Sequence, residues 1–310
     1  LVAIRGPLIG ANPTTLMWAD RTGRTSSAEP AGAPDGGRLW TRIAPDRSRA
    51  LVSLQTPRRA EGWIVDWARD LWSSCDGCVT DLGSGAWSPD GRRFAVGSKN
   101  SIRLHTVDGS SPDELLVRED GRTLVPHAWL ADGRIVYQSS DDFTAFEVKM
   151  LDAGSHAGRT ILPRGVGTEA DVSADGRWLA YTSHQNNMDV VMVQAFPGPG
   201  AKVQVSSGLG TNASWSRDGR ELYYITRATP DGPAVVFMAV DIQPGPTFQP
   251  GKPHELFRVT DPQRCGILRC YDVVPDGSKF LLRARPASGH QTVSRFDVIL
   301  NWTATLQPSR

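Results

Sequence analysis

Four cysteines are the residues whose type and spacing most directly suggest chemistry. Cys75 and Cys78 stand in "SSCDGCVT" and Cys265 and Cys270 in "RCGILRCYD", each pair just ahead of a short apolar run. Four thiols allow three pairings. Residues three to five apart in a turn can bring their Cα atoms within the roughly 4.4 to 6.8 Å that a disulfide spans, so Cys75–Cys78 and Cys265–Cys270 are the simplest bridges. Loops this short remove little chain entropy, so such bridges would pin loops and leave the fold to burial. A four-thiolate zinc site is the rival reading, opposed by the long separation of the two pairs. A thioredoxin-like use of "CDGC" needs a helix N-terminus, against which the Asp-Gly turn argues. Bridged cysteines imply an oxidising compartment.

Other catalytic constellations are missing from the sequence. There is no Gly-x-Ser-x-Gly elbow, no Gly-rich loop followed by a strand lysine, no His-Arg-Asp loop and no Asp-Phe-Gly motif, so neither serine hydrolysis nor kinase chemistry is expected of this chain. The six histidines, at 105, 127, 156, 184, 254 and 290, lack the short spacings that put two ligands on one element. They read as surface or loop residues, although a ring-shaped fold can assemble a site from one residue per repeat. No metal site is assigned and no cofactor is expected. Lys plus Arg is 34 and Asp plus Glu is 33, so no global field favours nucleic acid or an anionic membrane. No run of 18 apolar residues exists. The start "LVAIRGPLIG" lacks both Met and a signal-peptide layout and reads as a processed product or a piece of something larger.

The elements that must position these residues are short strands. Glycine (31) and proline (22) are plentiful, no long stretch shows helical apolar spacing, and the apolar runs are rich in Val, Ile, Phe, Tyr and Trp. The class is all-β. A hairpin recurs: "RIAPDRSRALVS", "AWSPDGRRFAVGS", "AWLADGRIVYQS", "DVSADGRWLAYTS", "SWSRDGRELYYIT" and "DVVPDGSKFLLRA" carry Asp46, Asp90, Asp132, Asp175, Asp218 and Asp276, with successive differences of 44, 42, 43, 43 and 58. The last gap holds an insertion in the Pro-rich segment from Pro244 to Arg269. A period of this length with this strand content predicts a β-propeller of four-stranded antiparallel blades spanning residues 1–310 as one domain. Third strands are expected in "GWIVDWARD", "SIRLHTVDG", "FEVKMLDAG", "VVMVQAFPG", "VVFMAVDIQ" and "RFDVILNW". Counting the partial N-terminal unit at 1–35, with "LVAIRG" and "TLMWADRTGR", as its own blade predicts seven; merging it with the last repeat gives six.

The recurrent Asp-Gly is a turn device. Asp caps the turn backbone and Gly takes the positive φ, and a site used once does not need five copies. At Asp46 the Gly is replaced, so that turn is either of another type or mildly strained. Trp87, Trp129 and Trp215 share one slot, three residues before the turn Asp, and are expected to pack between blades.

The "SPDG" repeats resemble those of TolB-like, WD-repeat-like propellers. More narrowly, "DRTGR", "VQAFPGPGAKVQVSSGLGTNASWSRDGRELYYI", "MAVDIQPGPTFQPGKPHELF", "YDVVPDGSKFLL" and "FDVILNW" resemble the propeller that follows the kinase domain and membrane span of bacterial receptor-type serine/threonine kinases. That resemblance implies a non-catalytic sensor or interaction module outside the cytoplasm, periplasmic or at the cell surface, tethered to a membrane-spanning kinase in the full-length protein. Its partner would be a protein or small-molecule ligand and not nucleic acid. In propellers of this layout the loops entering each first strand share the channel mouth, which here would carry Trp67, Trp72, His127, Glu169, Asn212, Arg269 and Tyr271 with the Cys loops. A metal-dependent hydrolase or lyase at the channel mouth is the alternative function.

Overall fold

The computed structural model describes residues 14–56, 59–78, 85–198, 200–227, 234–260 and 271–284. Among them are strands and turns and no helix. In chain order the strands are β1 (Thr15–Asp20) and β2 (Thr25–Ser27); β3 (Gly37–Ile43), β4 (Arg49–Gln55), β5 (Ala60–Asp66) and β6 (Leu71–Ser74); β7 (Gly85–Trp87), β8 (Arg93–Gly97), β9 (Lys99–Thr106) and the long β10 (Glu114–Trp129). Then come β11 (Ile135–Ser140), β12 (Glu147–Leu151) and β13 (Gly158–Leu162); β14 (Thr168–Val172), β15 (Trp178–Gln185), β16 (Met188–Ala195) and β17 (Lys202–Gln204); β18 (Thr211–Trp215), β19 (Glu221–Arg227), β20 (Ala234–Gln243), β21 (Gln249–Pro250) and β22 (His254–Thr260); and finally β23 (Tyr271–Val273) and β24 (Lys279–Ala284).

These strands build a propeller-like ring of five antiparallel sheets. Each expected hairpin is present, with Asp46, Asp90, Asp132, Asp175, Asp218 and Asp276 in the turns between the first and second strands of their repeats. The third strands expected on β5, β9, β12, β16 and β20 are present too, whereas "RFDVILNW" lies outside the described residues. One sheet has seven strands because β10 serves two repeats in succession. Its first half pairs with β9 and its second with β11, with a shift of register between Arg118 and Thr123. Glu119 anchors that shift, accepting hydrogen bonds from Tyr137 Oη at 2.7 Å, Ser139 Oγ at 2.8 Å and Lys149 Nζ at 2.9 Å.

The N-terminal segment does not stand apart. β1 pairs with β24 from Thr15↔Ala284 to Asp20↔Lys279, so the first and last described strands share one sheet, in the order β2-β1-β24-β23. The seven-unit expectation kept them separate. The edge of β24 away from β23 exposes a row of N–H and C=O groups, and β1 satisfies it.

The core is divided among the seams of the ring. Leu16 and Ala28 pack with Val52 and Val65; Trp40 and Ile64 with Trp87 and Phe94; Ile102 and Val117 with Leu124 and Tyr137; Val148 and Met150 with Leu179 and Tyr181; Val191 and Val193 with Leu222 and Val240. The circle closes where Tyr223, Phe237 and Phe257 meet Ala19, Tyr271 and Phe280. The inner strands thus bury both faces, and β11 is buried along its whole length although Gln138, Ser139 and Ser140 are polar.

The turn aspartates do the capping that their recurrence suggested. Oδ1 accepts the N–H two residues on in each of them, at 2.9 to 3.1 Å. Arg47 holds φ at +65° where Gly91 holds +67°, so the turn at Asp46 keeps its shape without glycine. Bonds from Ser88, Arg134, Ser216 and Ser278 hold Asp90, Asp132, Asp218 and Asp276 below the usual carboxylate range. Burial would raise Asp46 and Asp175, but bonds from Arg49 and Ser173 outweigh it and lower both. A carboxylate depressed in the fold contributes stability that is complete above its unfolded pKa of about 3.9 and is lost as pH falls through the folded value. The urea midpoint is therefore expected to fall steeply below about pH 4, and Asp218→Asn to lower the midpoint at neutral pH and so flatten that acid limb. A midpoint independent of pH across that window in the parent protein would contradict the role given to these turns.

Candidate functional site

The first strands of the repeats face one another around the ring, and backbone bulges shape them. The register shifts at Arg38/Trp40 in β3, Pro126/Ala128 in β10, Thr168/Asp171 in β14 and Thr211/Ser214 in β18. A bulge places two residues opposite one and re-aims a side chain. His127, Glu169 and Asn212, three of the residues expected at the channel mouth, all sit at these bulges. Glu169 and Asn212 hold φ of +53° and +56°, a conformation a non-glycine residue keeps only where its surroundings dictate it.

The surroundings of this pair are a hydrogen-bond network. Glu169 Oε2 accepts from Thr182 Oγ1 at 2.7 Å and from the Asn212 N–H at 2.9 Å, while Oε1 accepts from Asn212 Nδ2 at 2.9 Å. Tyr271 Oη donates to the Asn212 carbonyl at 2.7 Å. Glu169, Asn212 and Tyr271 therefore meet across three consecutive repeats. His127 bonds Gln138, and its carbonyl accepts from Arg42 Nη2 at 3.2 Å, while Arg42 Nε reaches the Gly85 carbonyl at 3.2 Å.

A second set of carboxylates ties first strand to first strand. Asp171 Oδ2 accepts from the Trp215 N–H at 3.0 Å, and Asp272 Oδ2 from the Ile43 N–H at 2.7 Å. Asp171 and Asp272 lie four residues before their turn aspartates, and Trp215 and Ile43 three before theirs. One contact thus repeats, and its second copy joins the last repeat to the first complete one. Its trace in the sequence is the leading Asp of "DVSADG" and "DVVPDG", which turn chemistry alone does not explain.

The remaining expected residues are elsewhere. Trp67 Nε1 donates to the Ala28 carbonyl at 2.7 Å and its ring lies 4.7 Å from that of Trp18; Trp72 Nε1 donates to the Pro30 carbonyl at 3.3 Å, with the Arg38 guanidinium 5.7 Å from its ring. Both rings are half-buried against the β1–β2 segment and its continuation. Arg269, Cys265 and Cys270 lie outside the described residues.

Cys75 and Cys78 are joined in the expected local disulfide, with Cα atoms 5.5 Å apart. They lie deeper than a loop staple, buried among Trp40, Ile64, Trp87 and Phe94 at the seam between the β3–β6 sheet and the next repeat. Two histidines depart from the surface positions expected of them, His105 and His127 being buried, whereas His156, His184 and His254 are exposed as expected. His105, on β9, points Nε2 at Cys75 Sγ from 3.6 Å, and its Nδ1 lies 2.7 Å from Asp113 Oδ1. Alternation along "SIRLHTVDG" put this strand between two packed faces, but only the ring sets His105 opposite the cysteines of the preceding sheet.

No protein-family model and no curated protein sequence matches this chain. Solved structures do. A TolB-type protein of Agrobacterium tumefaciens superposes with a TM-score of 0.69 at 17% identity, covering 89% of this chain and 99% of that one. TolB of Acinetobacter baumannii gives 0.60 at 16% identity over 83% of this chain and 66% of that one, and an oligogalacturonate lyase in complex with manganese gives 0.56 at 14% over 86% and 77%. At these identities the likeness is one of architecture, and what it establishes is that this chain has the fold of the TolB-like β-propellers.

Proposed function

We propose that this chain is a non-catalytic binding propeller that works outside the cytoplasm, a ring of six units whose bulged first strands present a rim to a protein or small-molecule ligand. The observation that carries this reading is the commitment of the rim carboxylates. Glu169, Asp171 and Asp272 direct their oxygens at backbone and side-chain donors of neighbouring repeats. Carboxylates engaged in this way hold the ring's geometry, whereas acid–base or metal-assisted chemistry needs groups aimed at a reacting atom. Among the described residues, the one set of three side chains that could jointly ligate an ion, Cys75, Cys78 and His105, is buried.

The count of six is supported by six turn aspartates, by six core clusters at six seams, and by the Asp272–Ile43 bond that repeats Asp171–Trp215. The Cys75–Cys78 bridge supports an oxidising compartment. The resemblance of "DRTGR", "YDVVPDGSKFLL" and "FDVILNW" to receptor-kinase propellers supports a membrane-spanning kinase as the tether in the full-length protein.

The competing reading is a metal-dependent lyase, since a lyase with manganese shares the fold. Protein purified in air and dialysed is expected to retain no stoichiometric manganese, calcium or magnesium, and to form no unsaturated product from oligogalacturonate when manganese is supplied. Either a retained hard cation or a β-elimination product would transfer the assignment to the lyase class. In the positive arm, a ligand found by thermal-shift screening of cell-wall peptides and saccharides should slow hydrogen exchange at the amides of His127 and Asn212. Protection confined to the outer strands would remove the rim as the binding surface.

A further inference from the structure

We propose that Cys75, Cys78 and His105 form a redox-gated site for a thiophilic divalent cation such as zinc, closed by the disulfide and opened by its reduction. Their ligand atoms all lie within 4.8 Å of one another and all three residues are buried. The Cys-x-x-Cys spacing and the imidazole reach this seam from different repeats, the cysteines from the turn after β6 and His105 from β9.

The imidazole is set up as a ligand. Its Nδ1 is held by Asp113 Oδ1 at 2.7 Å, and its Nε2 faces Cys75 Sγ at 3.6 Å. Carboxylate behind imidazole is the arrangement that fixes tautomer and raises basicity in metal-bound histidines. The distance also fits. Tetrahedral bonds of about 2.3 Å to sulfur and about 2.05 Å to nitrogen put those atoms about 3.6 Å apart, matching the 3.6 Å observed. Gly77, at φ +83°, lets the turn lie against the ring: a Cβ there would stand 3.4 Å from His105 Nδ1.

The gating step is thiol–disulfide exchange. A dithiol reductant gives two electrons to the Cys75–Cys78 bond; that bond breaks, the reductant's sulfurs join, and its two protons pass to the cysteine sulfurs. Binding the cation then releases those protons to water, leaving two thiolates and a neutral imidazole as ligands, with the fourth position for water. The consequence is mechanical. The disulfide closes only a four-residue turn, whereas the metal would tie that turn to β9 of the next repeat.

The test uses the full chain with Cys265→Ser and Cys270→Ser, so that the thiols counted are those of Cys75 and Cys78. The protein is reduced with dithiothreitol, desalted under argon and titrated with cobalt(II). Two thiols should titrate, and one cobalt per chain should bind with thiolate charge-transfer and tetrahedral d–d absorption, displaced by zinc. Air-oxidised protein should bind none. His105→Gln should abolish the tetrahedral spectrum, and Asp113→Asn, at a partly exposed position outside the core, should weaken cobalt binding by about 10- to 100-fold. The proposal is overturned if the bridge resists reduction in the folded protein, if the reduced protein takes up no cobalt, if the oxidised protein takes it up equally, or if spectrum and affinity are unchanged in both variants.

Discussion

Phe280→Ala is expected to lower the unfolding free energy by about 3 to 5 kcal/mol, the range for truncating a buried aromatic whose surroundings cannot collapse into the space. Phe280 is fully buried, and its ring lies 5.2 Å from those of Tyr223 and Phe257, 5.6 Å from Phe237 and 6.4 Å from Tyr271. Edge-to-face contacts dominate, the geometry in which ring quadrupoles attract. The residue matters beyond its own area because β24 lies between β1 and β23, with Ala19 of β1 on one side and Val273 of β23 on the other. A cavity there loosens the seam and the closing sheet together. Phe280→Leu keeps most of the volume and should cost less than about 1.5 kcal/mol. Denaturant titration of both variants reads the difference; a loss below about 1 kcal/mol for the alanine variant would mean that this cluster does not close the ring.

The three tryptophans of the common slot are expected to separate when each is changed to alanine. Trp87→Ala should cost about 3 to 5 kcal/mol: the ring is buried, its Nε1 donates to the Arg42 carbonyl at 2.9 Å, and it lies 5.3 Å edge-on from Phe94. Trp215→Ala should fall at the lower end of that range, because its indole is equally buried but its N–H finds no acceptor, so truncation also removes an unsatisfied donor. Trp129→Ala should cost less, about 1 to 2 kcal/mol, since that ring is only half-buried, packed at the margin of the cluster of Ile102 and Tyr137 with the Arg93 guanidinium 5.2 Å from it. Equal losses at all three would show that repeat position alone decides burial, against the gradation in the structure.

How far the sequence reached can be judged from particular residues. The hairpins, the all-β class and the local bridge were legible because their causes are local: an Asp that caps a turn, a glycine or substitute at positive φ, and two thiols three residues apart need no distant partner. His127, Glu169 and Asn212 could be placed at the ring's inner strands from repeat position, yet nothing in their neighbours in sequence announces the bulges or the Glu169–Asn212 bonds, which form between repeats. Trp87, Trp129 and Trp215 all pack at seams as their common slot suggested, but to different depths, since slot equivalence fixes which way a side chain points and the adjoining repeat fixes what covers it. The meeting of β1 with β24 was decided by ring closure, and that of His105 with Cys75 and Cys78 by the packing of one sheet on the next. Pattern along a chain specifies strands and turns through short-range sterics and hydrogen bonding, whereas contacts between residues far apart depend on how many units close the circle. That number follows from how the twisted sheets pack face to face around it.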